Sequence, residues 1–380
     1  MNREDYRKMI DEIDDKLVEL FAQRMGVSAK IAEFKKENSL PVLDVRRERE
    51  KLKAVVSEAP EELSEYTSLL YSMIFELSRN YQNKLIGAGS ELADSISRAI
   101  NETPKLFPER TSVACQGVEG AYAQIACDKL FKSANIMYFS NFDAVFSAVD
   151  KGFCKYGVVP LENSTAGSVN TVYNLMTKYK FSIVRSIRLK VDHNLLVKPG
   201  TELNDIKEIY SHQQAISQCA GFLSTLKGVK IIPRENTAVA ARMVAESDRN
   251  DIATLSSREC MKLYGLKCLK PSVQDKDNNY TRFICISKNL EIYPGADRTS
   301  LLAVLEDKPG SLYKLLSRLY ALGINLSKLE SRPIPEREFE FMFYFDLDAP
   351  VYSPEFLQLM SELGDICEEY NYLGSYSEII

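Results

Sequence analysis

Two cations stand where apolar residues belong. Ile10, Ile13, Leu17, Leu20, Val27, Ile31 and Phe34 recur in steps of three, four or seven, which is a heptad seam. The seam position after Leu20 is Arg24, and Lys35 lies eleven residues on, about 20° away around a helix. A later stripe, Leu63, Leu70 and Ile74, continues into Ser78 and Gln82. Between the two, Asp44 and Glu48 share a helical face with Leu52 and Val55. An unpaired buried charge is costly, so this pattern predicts a polar pocket that receives an anion. The plainer alternative is a helical bundle with snorkelling cations and a few satisfied polar core groups.

A second set of reactive groups lies further on. "NYTRF" (279–283) sends Thr281 and Arg282 into a short apolar run. Thr281 is either a β-branched residue at a strand start or a hydroxyl available at a strand edge. "VVPLENSTAGSV" (158–169) and "SHQQAISQC" (211–219) hold Ser164, Thr165, Gly167 and Ser211 ahead of helical patterns. Helix N-termini suit anions, and capping is the structural use of the same hydroxyls. His193 and His212 are the chain's two histidines, which argues against a histidine-rich metal site and leaves little for Ser-His chemistry. No metal and no cofactor is expected. Eight cysteines without a C-x-x-C pair read as buried, reduced thiols.

Behind these residues stand elements of three textures. The chain has 380 residues, a length suited to two or three domains. It is 45% hydrophobic and 27% charged, ordinary for packed globular cores. A net charge of −5 provides no overall field for nucleic acid. The start is charged and periodic without an apolar signal segment, and no run approaches membrane-spanning length, so a cytoplasmic protein is expected. A helical region spans 1–88, with Pro41 breaking its first helix, a second starting near Asp44, a third over 61–86 and Gly-Ala-Gly at 87–89 as the stop. A linker covers 89–110. Short β-rich runs then alternate with helical patterns over 111–288, which argues for α/β. Within it, "NFDAVFSAVDKGFCKYGVVPLENS" and "NTAVAARMVAESDRNDIATLSSRE" follow one plan: capped helix, polar turn, buried strand, hydroxyl-rich loop. Two similar lobes across a cleft would produce this echo, and so would ordinary α/β monotony. Residues 298–376 read βαββαβ, a ferredoxin-like unit.

Residues 1–86 resemble the all-helical chorismate mutases. The matches are Arg7, Arg24, Lys35, Asp44, Arg47, Glu48, Ser78 and Gln82, in "YRKMIDEID", "AQRMG", "FKKENSLPVLDVRRERE" and "ELSRNYQ". The resemblance implies that chorismate, a dicarboxylate, is rearranged to prephenate. Such a pericyclic step needs no nucleophile, only a held conformer and donors for charge building on the breaking ether oxygen. By resemblance Arg7 and Arg24 take carboxylates, Lys35 and Gln82 donate to the ether oxygen, and Glu48 holds the hydroxyl. Arg7 and Arg24 are about 25 Å apart along one helix, too far for one chorismate. Arg7 is therefore either a surface charge or a contribution to a neighbour's site in an intertwined homodimer, which the family favours.

Residues 111–286 resemble prephenate dehydratase, carried by "VVPLENSTAGSV", "SHQQAISQC" and "NYTRF". The family is two-lobed, like type II periplasmic binding proteins. The opening "CQGVEGAYAQIA" (115–126) departs from the family's usual glycine-rich run but keeps its glycines and Tyr122. The resemblance implies that Thr281 is the residue on which loss of carbon dioxide and hydroxide from prephenate depends. Asn163, Ser164, Thr165, Ser211, Gln218 and Arg282 are implied at the prephenate site, with Glu162 or water as the proton source. Residues 298–376 resemble ACT domains, through "EDKPGSLYKLL" and "GINLSKLESRP". L-phenylalanine is the implied effector, held between paired domains near Gly310, Ser311, Leu312, Asn325 and Leu326. A domain that only dimerises is the structural alternative. In this order the three resemblances imply an enzyme of phenylalanine biosynthesis with two activities and feedback. The rivals are a non-catalytic amino-acid sensor and a dehydratase that prefers arogenate.

Overall fold

In a computed structural model, which describes residues 2–86, 90–334, 337 and 340–380, the chain separates into two compact units. One comprises Met1–Asp94 with Leu357–Ile366, the other Ser95–Phe356 with Cys367–Ile380. The expected helix stop at 87–89 lies outside the described residues.

The first unit is built on three helices, α1 (Arg3–Glu37), α2 (Val45–Glu58) and α3 (Ser64–Ile86). A capping box between Asn2 and Asp5 starts α1. The Asp44 carboxylate starts α2 by accepting from the Arg47 backbone N–H at 2.9 Å. Both α1 and α2 pack on α3. The expected apolar seam of α1 does not bury itself: its seven residues remain between 42% and 61% exposed. Ser28 and Ala32 are the buried residues of this helix. The inward face carries Arg24, Ser28 and Ala32 instead, spaced at helical intervals, and Arg24 reaches Ser78 of α3.

The second unit holds three sheets. In the first lobe, strands run in the order Glu378–Ile379, Ser182–Lys190, Tyr280–Ser287, Tyr156–Asn163, Arg110–Gln116 and Ser133–Phe139, with Gly167–Ser168 paired to Tyr156–Asn163. The second lobe orders Lys267–Lys270, Asn194–Val197, Ile252–Ser256, Glu208–His212 and Lys230–Arg234. The internal echo is real. Helix Phe142–Asp150 feeds Tyr156–Asn163 in one lobe, helix Thr237–Glu246 feeds Ile252–Ser256 in the other, and Asn141 and Asn236 cap the two helices alike. The half-exposed edge strand Ser133–Phe139 alternates only over Ser133–Ile136 before the apolar run Met137–Phe139, and it is not among the expected strands. The chain crosses between lobes twice, at 191–193 and 271–279. The crossings bond to each other, Val191 N–H to the Asn279 carbonyl and Val273 N–H to the His193 carbonyl, both at 2.8 Å.

The third sheet orders Asn325–Pro333, Phe341–Asp348, Arg298–Val304 and Glu369–Tyr376, all antiparallel, which is the expected βαββαβ arrangement. It shares a core with the first lobe, where Leu302, Tyr344, Leu373 and Tyr376 meet Tyr173, Ile183 and Ile286. The Tyr173 and Tyr344 rings meet edge-on with centroids 4.8 Å apart, a geometry worth about 0.5–1.5 kcal/mol beyond area burial. Gly374 lies so close to the Ile183 backbone that a Cβ would collide with its carbonyl oxygen. All eight cysteines are free, and seven are buried. No helix among the described residues is long and apolar enough to cross a membrane.

Candidate active sites

In the helical unit, the polar residues of α1 and α3 meet along their contact. Arg24 donates to the Ser78 hydroxyl, which itself donates to the Ile74 carbonyl at 2.8 Å. The guanidinium lies 5.8 Å from the centre of the Phe75 ring. Burial lowers the Arg24 pKa, opposed by Tyr71 and Glu48. Glu48 is gripped through both oxygens by Arg79, at 2.5 and 2.6 Å. Lys35 donates to the Val42 carbonyl at 2.5 Å. Gln82 is buried, and its carbonyl oxygen has no partner among the described residues. Arg24 and Lys35 pair with no carboxylate among the described residues. The arrangement can therefore hold an anionic ligand and donate hydrogen bonds to it.

In the α/β unit, Thr281 is the second residue of strand Tyr280–Ser287, directly opposite Asn163. Asn163 donates to the Thr281 hydroxyl at 2.9 Å and to the Asn279 carbonyl oxygen of the side chain at 2.8 Å. Asn279 donates to Gln218 at 2.9 Å, and Gln218 donates to Thr165 at 2.8 Å. The Thr165 hydroxyl closes the ring on Asn163 at 2.7 Å. Thr165, Gln218 and Asn279 also line a cavity of about 190 Å³, together with Ser217, Gln274, Asp275 and Lys276. A larger cavity of about 350 Å³, lined by Gly120, Gln124, Ile125, Asp128, Glu259, Lys262 and Leu263, holds no residue of this ring.

Comparison with known proteins matches both regions of the chain. Residues 6–83 match the family model of chorismate mutase type II, and residues 113–291 that of prephenate dehydratase. The bifunctional chorismate mutase/prephenate dehydratase of Escherichia coli (strain K12) is 31% identical over 380 residues, covering 97% of this chain and 95% of that protein. This chain belongs to the bifunctional chorismate mutase/prephenate dehydratase family. An arogenate dehydratase/prephenate dehydratase of Arabidopsis thaliana is 34% identical over 284 residues, covering 70% of this chain and 72% of that protein. Among solved structures, prephenate dehydratase from Arthrobacter aurescens in complex with L-Phe is 28% identical, with a TM-score of 0.63. It covers 70% of this chain and 89% of that one.

This bifunctional enzyme brings some of the sequence-derived residues together and leaves others apart. Arg24 meets Ser78 and lies within electrostatic reach of Glu48, Gln82 is buried one helical turn beyond Ser78, and Lys35 is half-buried against the Val42 carbonyl. Asp44 and Arg47 are exposed, and Asp44 spends its carboxylate on the helix cap. Its expected inward face gives way to capping because the first turn of a helix presents unpaired N–H groups. Arg7 is exposed near the start of α1, seventeen residues before Arg24. In the dehydratase, Asn163, Thr165, Gln218 and Thr281 belong to one network. The loop 164–167 does not open a helix, because the next one begins at Asn170. Ser164 instead donates to the Asn278 carbonyl at 2.6 Å and accepts from the Tyr280 N–H. Ser211 is fully buried and donates to the Leu255 carbonyl at 2.8 Å.

Arg282 also faces away from Thr281, as strand alternation requires of its neighbour. Its guanidinium is engaged by Asp346 at 2.5 Å, Glu162 at 3.1 Å and Glu378 at 3.2 Å, and it donates to the Tyr376 hydroxyl. Burial acts against its charge, but Tyr376, Tyr344 and Asp346 more than offset that, and its pKa is raised. Glu162 is further engaged by Lys328, from the strand that carries Asn325 and Leu326. In the third sheet, Gly310 adopts a positive φ of 89° just before helix Ser311–Ala321, the turn for which glycine suits. Ser311 and Leu312 are half-buried in that helix's first turn. Asn325 donates to Asp348 at 3.0 Å, and Leu326 is half-buried. Sequence reasoning missed Arg79, Asn279, His193 and Lys328. The doubled Asn before "YTRF" was the one available signal, and it reads equally as a turn.

Proposed function

We propose that the helical pocket performs the chorismate rearrangement and that Thr281 serves the dehydration of prephenate. Arg24 binds one chorismate carboxylate, Lys35 and Gln82 donate to the ether oxygen, and Glu48 holds the hydroxyl. Ser78 orients Arg24, while Asp44 and Arg47 border the entrance. Arg7 comes from a second copy of the chain, antiparallel along the exposed seam of α1. What supports this most is a pair of half-buried cations, Arg24 and Lys35, that form no ion pair with a carboxylate among the described residues. An isolated helix also does not keep seven large apolar residues in water without a partner surface.

In the second reaction, Thr281 hydrogen-bonds the departing hydroxyl of prephenate. The bond to the ring carboxylate breaks, its electron pair enters the ring, and the C–O bond breaks on the other side. Carbon dioxide and hydroxide leave, and phenylpyruvate remains. Asn163, Thr165 and Gln218 position the substrate. The βαββαβ domain is read as an ACT module at which L-phenylalanine acts as feedback effector, near Gly310, Ser311, Leu312, Asn325 and Leu326. The Arthrobacter aurescens relative is itself a complex with L-Phe. The enzyme is read as cytoplasmic and as a homodimer or larger assembly.

The test supplies purified protein with chorismate and follows its loss and the appearance of phenylpyruvate, with and without L-phenylalanine. Lys35→Ala should remove only the first step, by about 3–4 kcal/mol of transition-state stabilisation. Thr281→Val should remove only the second. With the second step assayed on supplied prephenate, either variant abolishing both steps would show that the two sites are not separate. Arogenate in place of prephenate measures the preference to which the Arabidopsis relative's double name points.

A further inference from the structure

His193 takes part in neither reaction as described, yet it is buried at the first crossing between the lobes and touches the Thr281 network. The direction of every hydrogen bond in that network follows from two backbone groups. The N–H groups of Thr165 and Ala166 reach the Asn163 side chain at 3.0 and 2.9 Å. A backbone N–H only donates, so the atom they meet is the Asn163 oxygen. The opposite end of that amide is then the NH₂ group, and it donates to Asn279 and to Thr281. The Asn279 atom facing it is therefore oxygen, which turns the Asn279 NH₂ toward Gln218. Gln218 accepts there through Oε1 and donates through Nε2 to Thr165. No side chain in this ring can be flipped without setting like groups against each other.

His193 Nε2 lies 3.0 Å from that same Gln218 Oε1. An oxygen that already accepts can pair with this nitrogen only if the nitrogen carries hydrogen. Nδ1 is then the bare nitrogen, and it is buried without a partner among the described residues. At the other end, the Thr281 oxygen accepts from Asn163, so its own hydrogen is left to be given away.

We propose that His193, as the Nε2–H tautomer, is a positioning residue for the dehydration. It holds the Gln218 carboxamide, and through Asn279 and Asn163 it keeps the Thr281 hydroxyl turned as a donor toward the departing hydroxyl. Asn279 is the link between the two and a positioning residue of equal standing. This inference rests on the reading of Thr281 as the hydroxyl that serves the reaction.

The test uses the full chain. ¹⁵N-histidine labelling reports the tautomer directly, with His212→Gln assigning the signals, and His193 should show a protonated Nε2 and a bare Nδ1. His193→Leu removes the donor. It should lower the dehydratase kcat about 10- to 100-fold, the cost of a slightly misplaced reacting group, with KM changed by less than about threefold. His193→Gln places an NH₂ near the Nε2 position and should recover most of that loss. Asn279→Asp sets a carboxylate oxygen against Gln218 and should lower kcat in the same way. A protonated Nδ1 with a bare Nε2 in the wild-type protein would overturn the proposal, whether or not His193→Leu folds. So would a folded His193→Leu protein with the wild-type kcat. Full dehydratase activity in Thr281→Val would overturn the reading of Thr281 itself, and it is measured separately from the His193 variants.

Discussion

Arg282→Met isolates what a buried charge does when its partner is lost. The side chains of Arg282, Asp346 and Glu378 are 3%, 2% and 3% exposed. Glu378 would not be stranded by the change, because Arg188 and Arg298 also pair with it, at 2.9 and 3.3 Å. Asp346 would be. It would keep hydrogen bonds from the Ser300 and Tyr344 hydroxyls but no cation from Arg282. Breaking a buried pair costs about 3–5 kcal/mol, mostly from the charge left behind. The two surviving hydroxyl donors place this case at the lower end, about 3 kcal/mol. At about 2–4 °C per kcal/mol for a unit of this size, the melting temperature should fall by about 6–12 °C. Calorimetry of the full chain measures the shift, and a double-mutant cycle with Asp346→Asn measures its cause. Arg282→Met with Asp346→Asn should recover at least half of the loss, because the stranded charge is gone. A shift under about 2 °C in the single variant, or no recovery in the double, would refute the electrostatic account. Met keeps much of the aliphatic volume, so a large loss without recovery would point to packing instead.

Three further outcomes are expected. Mixing and refolding Arg7→Ala with Arg24→Ala protein should restore about a quarter of the mutase activity if each site draws one arginine from each copy of a twofold dimer; steady-state assay of the mixture decides it, and no recovery places both arginines elsewhere. Burial lowers the pKa of both His193 and His212 below the ordinary 6.5, with Asp192 acting against the shift at His193. The unfolded chain then binds more protons than the folded one as pH falls below 6.5, so stability should decline there, by up to about 1.4 kcal/mol per pH unit for each histidine; denaturation at several pH values should show a shallower slope in His193→Gln. Lys328→Met removes the cation that links Glu162 to the strand bearing Asn325 and Leu326. It should weaken inhibition by L-phenylalanine severalfold while leaving the mutase unchanged, and an unaltered inhibition curve would show that this strand does not carry the signal.

Local rules were enough for much of this protein. Helical periodicity set the three N-terminal helices, Asn141 and Asn236 announced the caps of the two echoing helices, and the doubled helix-strand plan was visible before the two lobes were. Arg24, Lys35, Ser78 and Gln82 stood out because a polar group in an apolar stripe breaks the pattern that burial imposes. What the chain did not disclose depends on contacts between distant segments. The seam of α1 looked like core, but hydrophobic periodicity says only that a face wants cover and not which molecule supplies it. Arg282 looked like a site residue because it adjoins Thr281, whereas strand alternation sends it to the opposite face, where Asp346, 64 residues away, receives it. His193 carried no signal, and Asn279 only a doubled Asn that reads equally as a turn. Their part arises only where the two crossings between the lobes meet, because the direction of a hydrogen bond is decided by which donors and acceptors the fold sets face to face.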